Sequence, residues 1–304
     1  MKALLVIPAA VICLSLGFLA ASCGANEATP AGPVPSAPEP DTGSTTQTLP
    51  PEDTVTEVGT VTEGQATYQV WYAQGESLFV TYRTGANIPR IGSAAVEAVL
   101  TGPSEFEQDY GLTTSVPQGT ELLGLTIDDA IATVDLTSEF EEGGGTLSMQ
   151  MRLAQVVYTL TQFPTVKGVV FSLDGEPIEV LGGEGLVLDH PLTRKDFRDL
   201  LPVILVTSPA LNQTVGSPVV VAGSANVFEA NVTVRILDEN GDEIAHTFTT
   251  ATCGTGCRGT YRVAVPYNVD EEQSGTIVVH DDDAAGTGRP PHEVRIPVLL
   301  TPGA

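Results

Sequence analysis

From about residue 65 onward the chain alternates apolar and polar positions with period two far more often than with the period of a helix. Thr67–Tyr72 sets Tyr68, Val70 and Tyr72 against Gln69 and Trp71. Ala73-Gln74-Gly75-Glu76 interrupts the pattern and Ser77–Tyr82 resumes it, which predicts a hairpin. Ser93 before Ala94–Leu100, stopped by Gly102-Pro103, predicts a short helix with a serine cap. Leu122–Thr126 and Ile131–Leu136 about Asp128-Asp129 predict a second hairpin. Val166–Leu173 and Ile178–Leu181 about Asp174-Gly175 predict a third. Helical spacing returns in Leu147, Met151, Ala154, Val157 and Leu160, which makes 146–162 the longest helix. The order ββα ββα ββ over 65–185 describes an α+β domain, two helices on an antiparallel or mixed sheet.

A connector at 186–201 separates this region from seven short strand-like segments within 202–301. They are Val203–Thr207, Val219–Ala225, Val232–Asp238, Glu243–Thr250, Gly259–Val265, Thr276–Asp281 and Val294–Leu300. Asn240-Gly241 marks a hairpin turn between the third and the fourth. Seven short alternating strands at this spacing predict an all-β, immunoglobulin-like sandwich.

The first 64 residues follow neither pattern. Met1-Lys2, the apolar run Ala3–Ala20 and the small residues before Cys23 make up a secretory signal. A retained membrane helix is the competing reading, because the run nearly reaches spanning length. Residues 24–64 carry Pro30, Pro33, Pro35, Pro38, Pro40, Pro50 and Pro51 among Ala, Thr, Ser and Glu. Such composition reads as an extended stalk, at ~3 Å per residue a reach on the order of 100 Å. Small residues directly before a cysteine resemble bacterial lipoprotein signals. That resemblance implies lipid on Cys23, a bilayer as partner, and a chain exported and anchored to the outer face of the cell membrane.

Charge then narrows the function. With 38 Asp+Glu against 13 Lys+Arg the formal net charge is −25. No basic cluster is present to neutralise phosphates, which excludes a nucleic-acid partner, and acidity also opposes a polybasic grip on anionic lipid.

Candidate chemistry is sparse. Cys253-Gly254-Thr255-Gly256-Cys257 places two cysteines within reach of a disulfide in an oxidising compartment, and a structural bridge is the preferred reading. A redox pair would want Cys-x-x-Cys at a helix start, and a zinc site would need two further ligands with only His246 near. His280-Asp281-Asp282-Asp283 with His292-Glu293 could gather cation ligands, but the order does not match a calcium loop. Asp135 with Glu139, or Asp128 with Asp129, are the carboxylates one would nominate for glycan cleavage. No Ser-His-Asp set, phosphate loop or zinc-protease motif accompanies them, so we read no catalytic residue, metal or cofactor. Trp71, Tyr72, Phe79, Tyr82, Phe106 and Tyr110 could form a partner surface or a core.

Several segments share the wording of a known family. Glu97–Pro103, Val116–Thr120, Ala132–Phe140, Val157–Thr161, Val169–Phe171 and Asp174-Gly175 occur in the order expected of the GerMN domain of sporulation and spore-germination proteins, and 66–182 resembles it. Val206–Pro209, Ser217–Val219, Gly223–Ala230 and Ile296–Val298 are similar to the immunoglobulin-like domain that follows GerMN domains in bacterial spore-germination lipoproteins. The resemblance implies a non-catalytic assembly or interaction module that binds an envelope protein or cell-wall glycan. A peptidoglycan-processing enzyme, or an activator of one, is the alternative.

Overall fold

A computed structural model of the chain describes residues 64–86, 90–183, 185–282, 286 and 288–303. Cys23 and the stalk lie outside the described residues.

The first hairpin pairs β1 (Gln65–Gln74) with β2 (Ser77–Ala86) over its whole length, with Gln74 opposite Ser77. The turn is therefore only Gly75-Glu76, and the strands run further than the broken alternation suggested. β1 is buried on both faces: Val70 and Tyr72 on one, Trp71 and Ala73 on the other. Helix α1 (Ile91–Thr101) begins earlier than expected. Ala94 N–H bonds to the Arg90 carbonyl, so helical bonding is under way before Ser93 could cap it. A short α2 (Glu105–Asp109) follows, unforeseen, with Ser104 and Glu107 forming a capping box. β3 (Leu112–Thr113) adds to the free side of β1 near its end.

β4 (Leu122–Asp128) and β5 (Ile131–Leu136) form the second hairpin. The long helix α3 (Thr146–Leu160) carries the chain back to β6 (Gly168–Leu173), which pairs parallel with β5. The sheet is thus mixed, with order β4-β5-β6-β7. The third hairpin is cut short. β7 is only Glu176-Pro177, because proline has no N–H to continue the ladder. β8 (Val180–Leu181) pairs instead with β9 (Leu186–Val187).

The second region contains every predicted strand: β10 (Ile204–Ser208), β12 (Val219–Ala225), β13 (Asn231–Leu237), β14 (Glu243–Thr250), β15 (Gly259–Val265), β16 (Gln273–His280) and β17 (Glu293–Leu300). It adds an unforeseen β11 (Gln213–Val215), parallel to β17. A three-stranded sheet, β10-β12-β15, faces a five-stranded one, β11-β17-β16-β13-β14. Val232, Val234, Ile236, Ile277, Val279, Ile296 and Leu300 point between them. Gly223 on β12 lets β10 approach within the three-stranded sheet, since a side chain there would collide with the Leu205 carbonyl.

The edge of β1 left open by β2 is closed by a helix. Gln155, Thr159 and Gln162 recur at intervals of four and three, hence on one helical face. The Gln155 side-chain amide donates to the Trp71 carbonyl (3.2 Å), and Thr159 Oγ1 accepts the Trp71 N–H (3.2 Å). Gln162 accepts the Gln69 N–H (2.6 Å) and donates to its carbonyl (2.8 Å). Gln155 and Thr159 are fully buried. Thr159→Val keeps the shape and removes the acceptor, leaving a buried N–H unsatisfied. We expect a loss of about 1–3 kcal/mol in urea unfolding, with Thr159→Ser closer to wild type. A valine variant as stable as the parent would exclude this role for Thr159.

Candidate functional site

The carboxylates nominated from the sequence do not assemble into a catalytic pair. Asp128 and Asp129 are exposed at the β4–β5 turn. Asp135, the penultimate residue of β5, accepts the Gly175 N–H (2.9 Å) and so holds the Asp174-Gly175 turn. Glu139 lies in a short 3-10 turn (Ser138–Glu141), its carboxyl held below the usual range chiefly by the Thr137 hydroxyl.

The acidic loop of the second region is also committed to protein partners. Asp281 is buried and accepts from Arg289 Nη2 (2.6 Å), the His292 N–H (2.7 Å) and His292 Nδ1 (3.0 Å). Burial would raise its pKa, but the hydrogen bonds from Arg289 and His292 outweigh that and lower it. Asp282 accepts from Thr233 (3.0 Å), and Glu293 pairs with Arg295 (2.6 Å). Asp283 lies outside the described residues. Among the described residues no three His, Cys, Asp or Glu side chains converge as a metal site.

Cys253 and Cys257 are joined in a disulfide, with Cα atoms 5.8 Å apart. The loop they close fastens a strained neighbour. Glu229 and Ala230 both have positive φ (55° and 57°), a conformation L-residues seldom adopt. The Thr255 N–H donates to the Val227 carbonyl (2.9 Å), the Gly256 N–H to Asn226 Oδ1 (3.0 Å), and the Glu229 N–H to Thr255 Oγ1 (3.0 Å). Gly254 is required there, because a side chain would meet the Ala230 backbone. His246 stands on β14 opposite Arg235, nearest to Glu243 (3.7 Å).

Of the six aromatic candidates, Trp71, Tyr72 and Phe79 are core and Phe106 is exposed. Tyr82 and Tyr110 reach across to the second region, donating to the Thr207 and Arg295 carbonyls. Trp71 and Tyr158 rings lie 4.7 Å apart, and the Arg194 guanidinium stacks 4.9 Å from Tyr158 and 5.6 Å from Trp71.

Three charged groups with partners inside the fold were not read from the sequence: Ser104-x-x-Glu107 carried a capping-box signal, but nothing local marks Arg83 as the partner of Glu107, nor the partners of Arg152 and Arg194. Arg194 hydrogen-bonds to Thr161 Oγ1 (2.8 Å) and the Tyr158 carbonyl (2.9 Å), docking the connector on α3. Arg152, almost wholly buried, donates to the carbonyls of Phe140, Glu142 (3.2 Å) and Gly143 (3.0 Å), and burial lowers its pKa. Glu107 is buried against Arg83 in a two-pronged pair (2.6 and 2.7 Å) and accepts from Thr81 Oγ1 (2.5 Å).

Two family models match the chain. The Germane family, described as sporulation and spore germination, covers residues 60–179, and the immunoglobulin-like domain of bacterial spore germination covers 203–287. The chain therefore carries a GerMN domain followed by a germination-type immunoglobulin-like domain. Among solved structures, the first GerMN domain of the sporulation protein GerM from Bacillus subtilis is 21% identical. That match covers 43% of this chain and 99% of that one, with a TM-score of 0.36. The tandem GerMN domains of the same protein are 14% identical over 66% of this chain and 61% of that one, TM-score 0.39. A protein of Clostridium perfringens described as a lipoprotein is 21% identical over 47% and 98%, TM-score 0.33. No curated protein matches the chain.

Two measurements probe these sites. Burial would raise the Glu107 pKa, but bonds from Arg83, Thr81 and Ser104 prevail and hold it at about 2, against an ordinary 4.5. A depressed folded-state pKa contributes stability above the unfolded value and loses it on acidification. Stability should therefore fall between about pH 4.5 and pH 2, with a shallower slope in Glu107→Gln. Identical slopes would remove Glu107 from the acid response. In the full-length protein purified without reductant, mass analysis should find Cys253 bridged to Cys257; two alkylatable thiols would reopen a metal-binding role.

Proposed function

We propose that the protein is a lipid-anchored, non-catalytic binding module of the bacterial cell envelope, of the spore-germination type. The observation that carries the reading is the pairing of two germination-type domains in one chain; of the nominated carboxylates, Asp135 holds the Asp174-Gly175 turn. Cys23 is the attachment point for lipid, and the Pro-rich stretch 24–64 acts as a tether holding the two domains off the outer face of the membrane. Among the described residues no helix is long and apolar enough to cross a membrane. The partner is another envelope protein or the glycan of the cell wall, engaged by contact and without turnover.

Cys23→Ser should abolish metabolic labelling with a fatty acid and release the protein from the membrane fraction. Persistent labelling would refute the anchor. Crosslinking of the wild-type protein at the intact cell surface should capture a partner, while the purified ectodomain leaves peptidoglycan uncut. Hydrolysis that disappears in Asp135→Asn with the fold retained would establish the enzyme reading instead.

A further inference from the structure

β4 is the last strand of its sheet. Among the described residues it pairs with β5 alone, so its outer side presents a row of unpaired backbone N–H and C=O groups. Natural edge strands are blunted by brevity, lysine, proline or a covering element, because an open edge templates further pairing. Other edges of this domain have such protection. β7 is two residues long and ends in Pro177. The free side of β1 is taken up by the α3 side chains, and β2 lies against the second region through Tyr82.

β4 has no lysine or proline in seven residues, Leu122-Leu123-Gly124-Leu125-Thr126-Ile127-Asp128. It exposes Leu123 at 50% and Ile127 at 45%. A bulge between Leu122 and Gly124 disturbs its start, but Gly124–Asp128 keep regular register with β5. Its ends are acidic: Glu121 before it, Asp128 and Asp129 at its close, all exposed.

That charge selects the occupant. Pairing with a second copy, antiparallel about Leu125, would set Glu121 of each chain opposite Asp129 of the other. The like charges meet in a protein already at −25. A strand with basic ends meets no such opposition. We propose that the β4 edge is a strand-addition site for an extended segment of a partner protein, alternating in apolar residues and flanked by lysine or arginine. Backbone bonds to β4 supply the affinity, the apolar side chains cover Leu123 and Ile127, and the basic flanks face Glu121 and Asp128-Asp129. The proposal rests on the binding-module reading above and names the chemistry of its protein partner.

The test uses the ectodomain from residue 24 onward and two synthetic peptides of alternating valine and threonine, one with paired lysines at each end, the other with paired glutamates. The lysine peptide should slow hydrogen exchange of the β4 amides and bind at least ~10-fold more tightly than the glutamate peptide, with the gap narrowing as salt rises. Ile127→Lys, at an exposed position, should preserve the fold by circular dichroism and weaken the lysine peptide ~10-fold. The proposal is overturned by equal binding of the two peptides, by protection at β14 in place of β4, or by no protection. Concentration-dependent protection of β4 without peptide would overturn it in favour of a second copy. Undiminished surface crosslinking in Ile127→Lys would remove this site and leave the binding-module reading standing; absence of any crosslinked partner in the wild type would count against that reading itself.

Discussion

The first domain depends on a helix that stands in for a missing strand. β1 is hydrogen-bonded along one side by β2 and touched at one end by β3, which leaves Gln69 and Trp71 with unmet backbone groups in the interior. Three polar side chains of α3 and its cap meet all four of them. Buried amides left without partners would cost several kcal/mol together, so the helix is fixed in position and rotation by polar matching as well as by its apolar face. The consequences spread outward. With α3 in register, Tyr158 lies beside Trp71, Arg194 can stack on both rings, and the connector is drawn across the helix toward the second domain.

A second constraint comes from the charge balance. Basic residues are few, yet Arg152 and Arg194 are committed inside the first domain to carbonyls, hydroxyls and aromatic faces. Arg258 does the same in the second domain, donating to the carbonyls of Pro202 and Ser224. Each guanidinium joins segments that the backbone ladders do not reach: the 138–145 loop, the connector, and the entry to β10. Carboxylates are left largely to the surface, which keeps the protein self-repelling.

The two domains meet through tyrosines. Tyr82 from β2 and Tyr110 after α2 donate to carbonyls of β10 and β17, and buried residues of both domains form one contiguous cluster.

Much of the architecture was legible in the chain. Seven short β-like segments, with clear period-two alternation in Val232–Ile236, Tyr261–Val265 and Val294–Val298, marked the principal strands of the sandwich, and the spacing of Leu147, Met151, Ala154, Val157 and Leu160 marked α3, because a half-buried element must write its period into the sequence. The Cys253–Cys257 bridge was readable because its partners lie four residues apart. Tertiary structure alone decided the rest. It showed that β1 is buried on both faces, that Gln155, Thr159 and Gln162 serve a strand and not solvent, and that Arg83 finds Glu107. It also decided that Asp281 belongs to Arg289 and His292, and that Tyr110 is a domain contact. The physical reason is the same in each case. Local periodicity records which face of an element is apolar, whereas a polar or charged side chain looks alike in sequence whether water or a distant backbone group satisfies it, and only the fold brings that distant group within 3 Å or so.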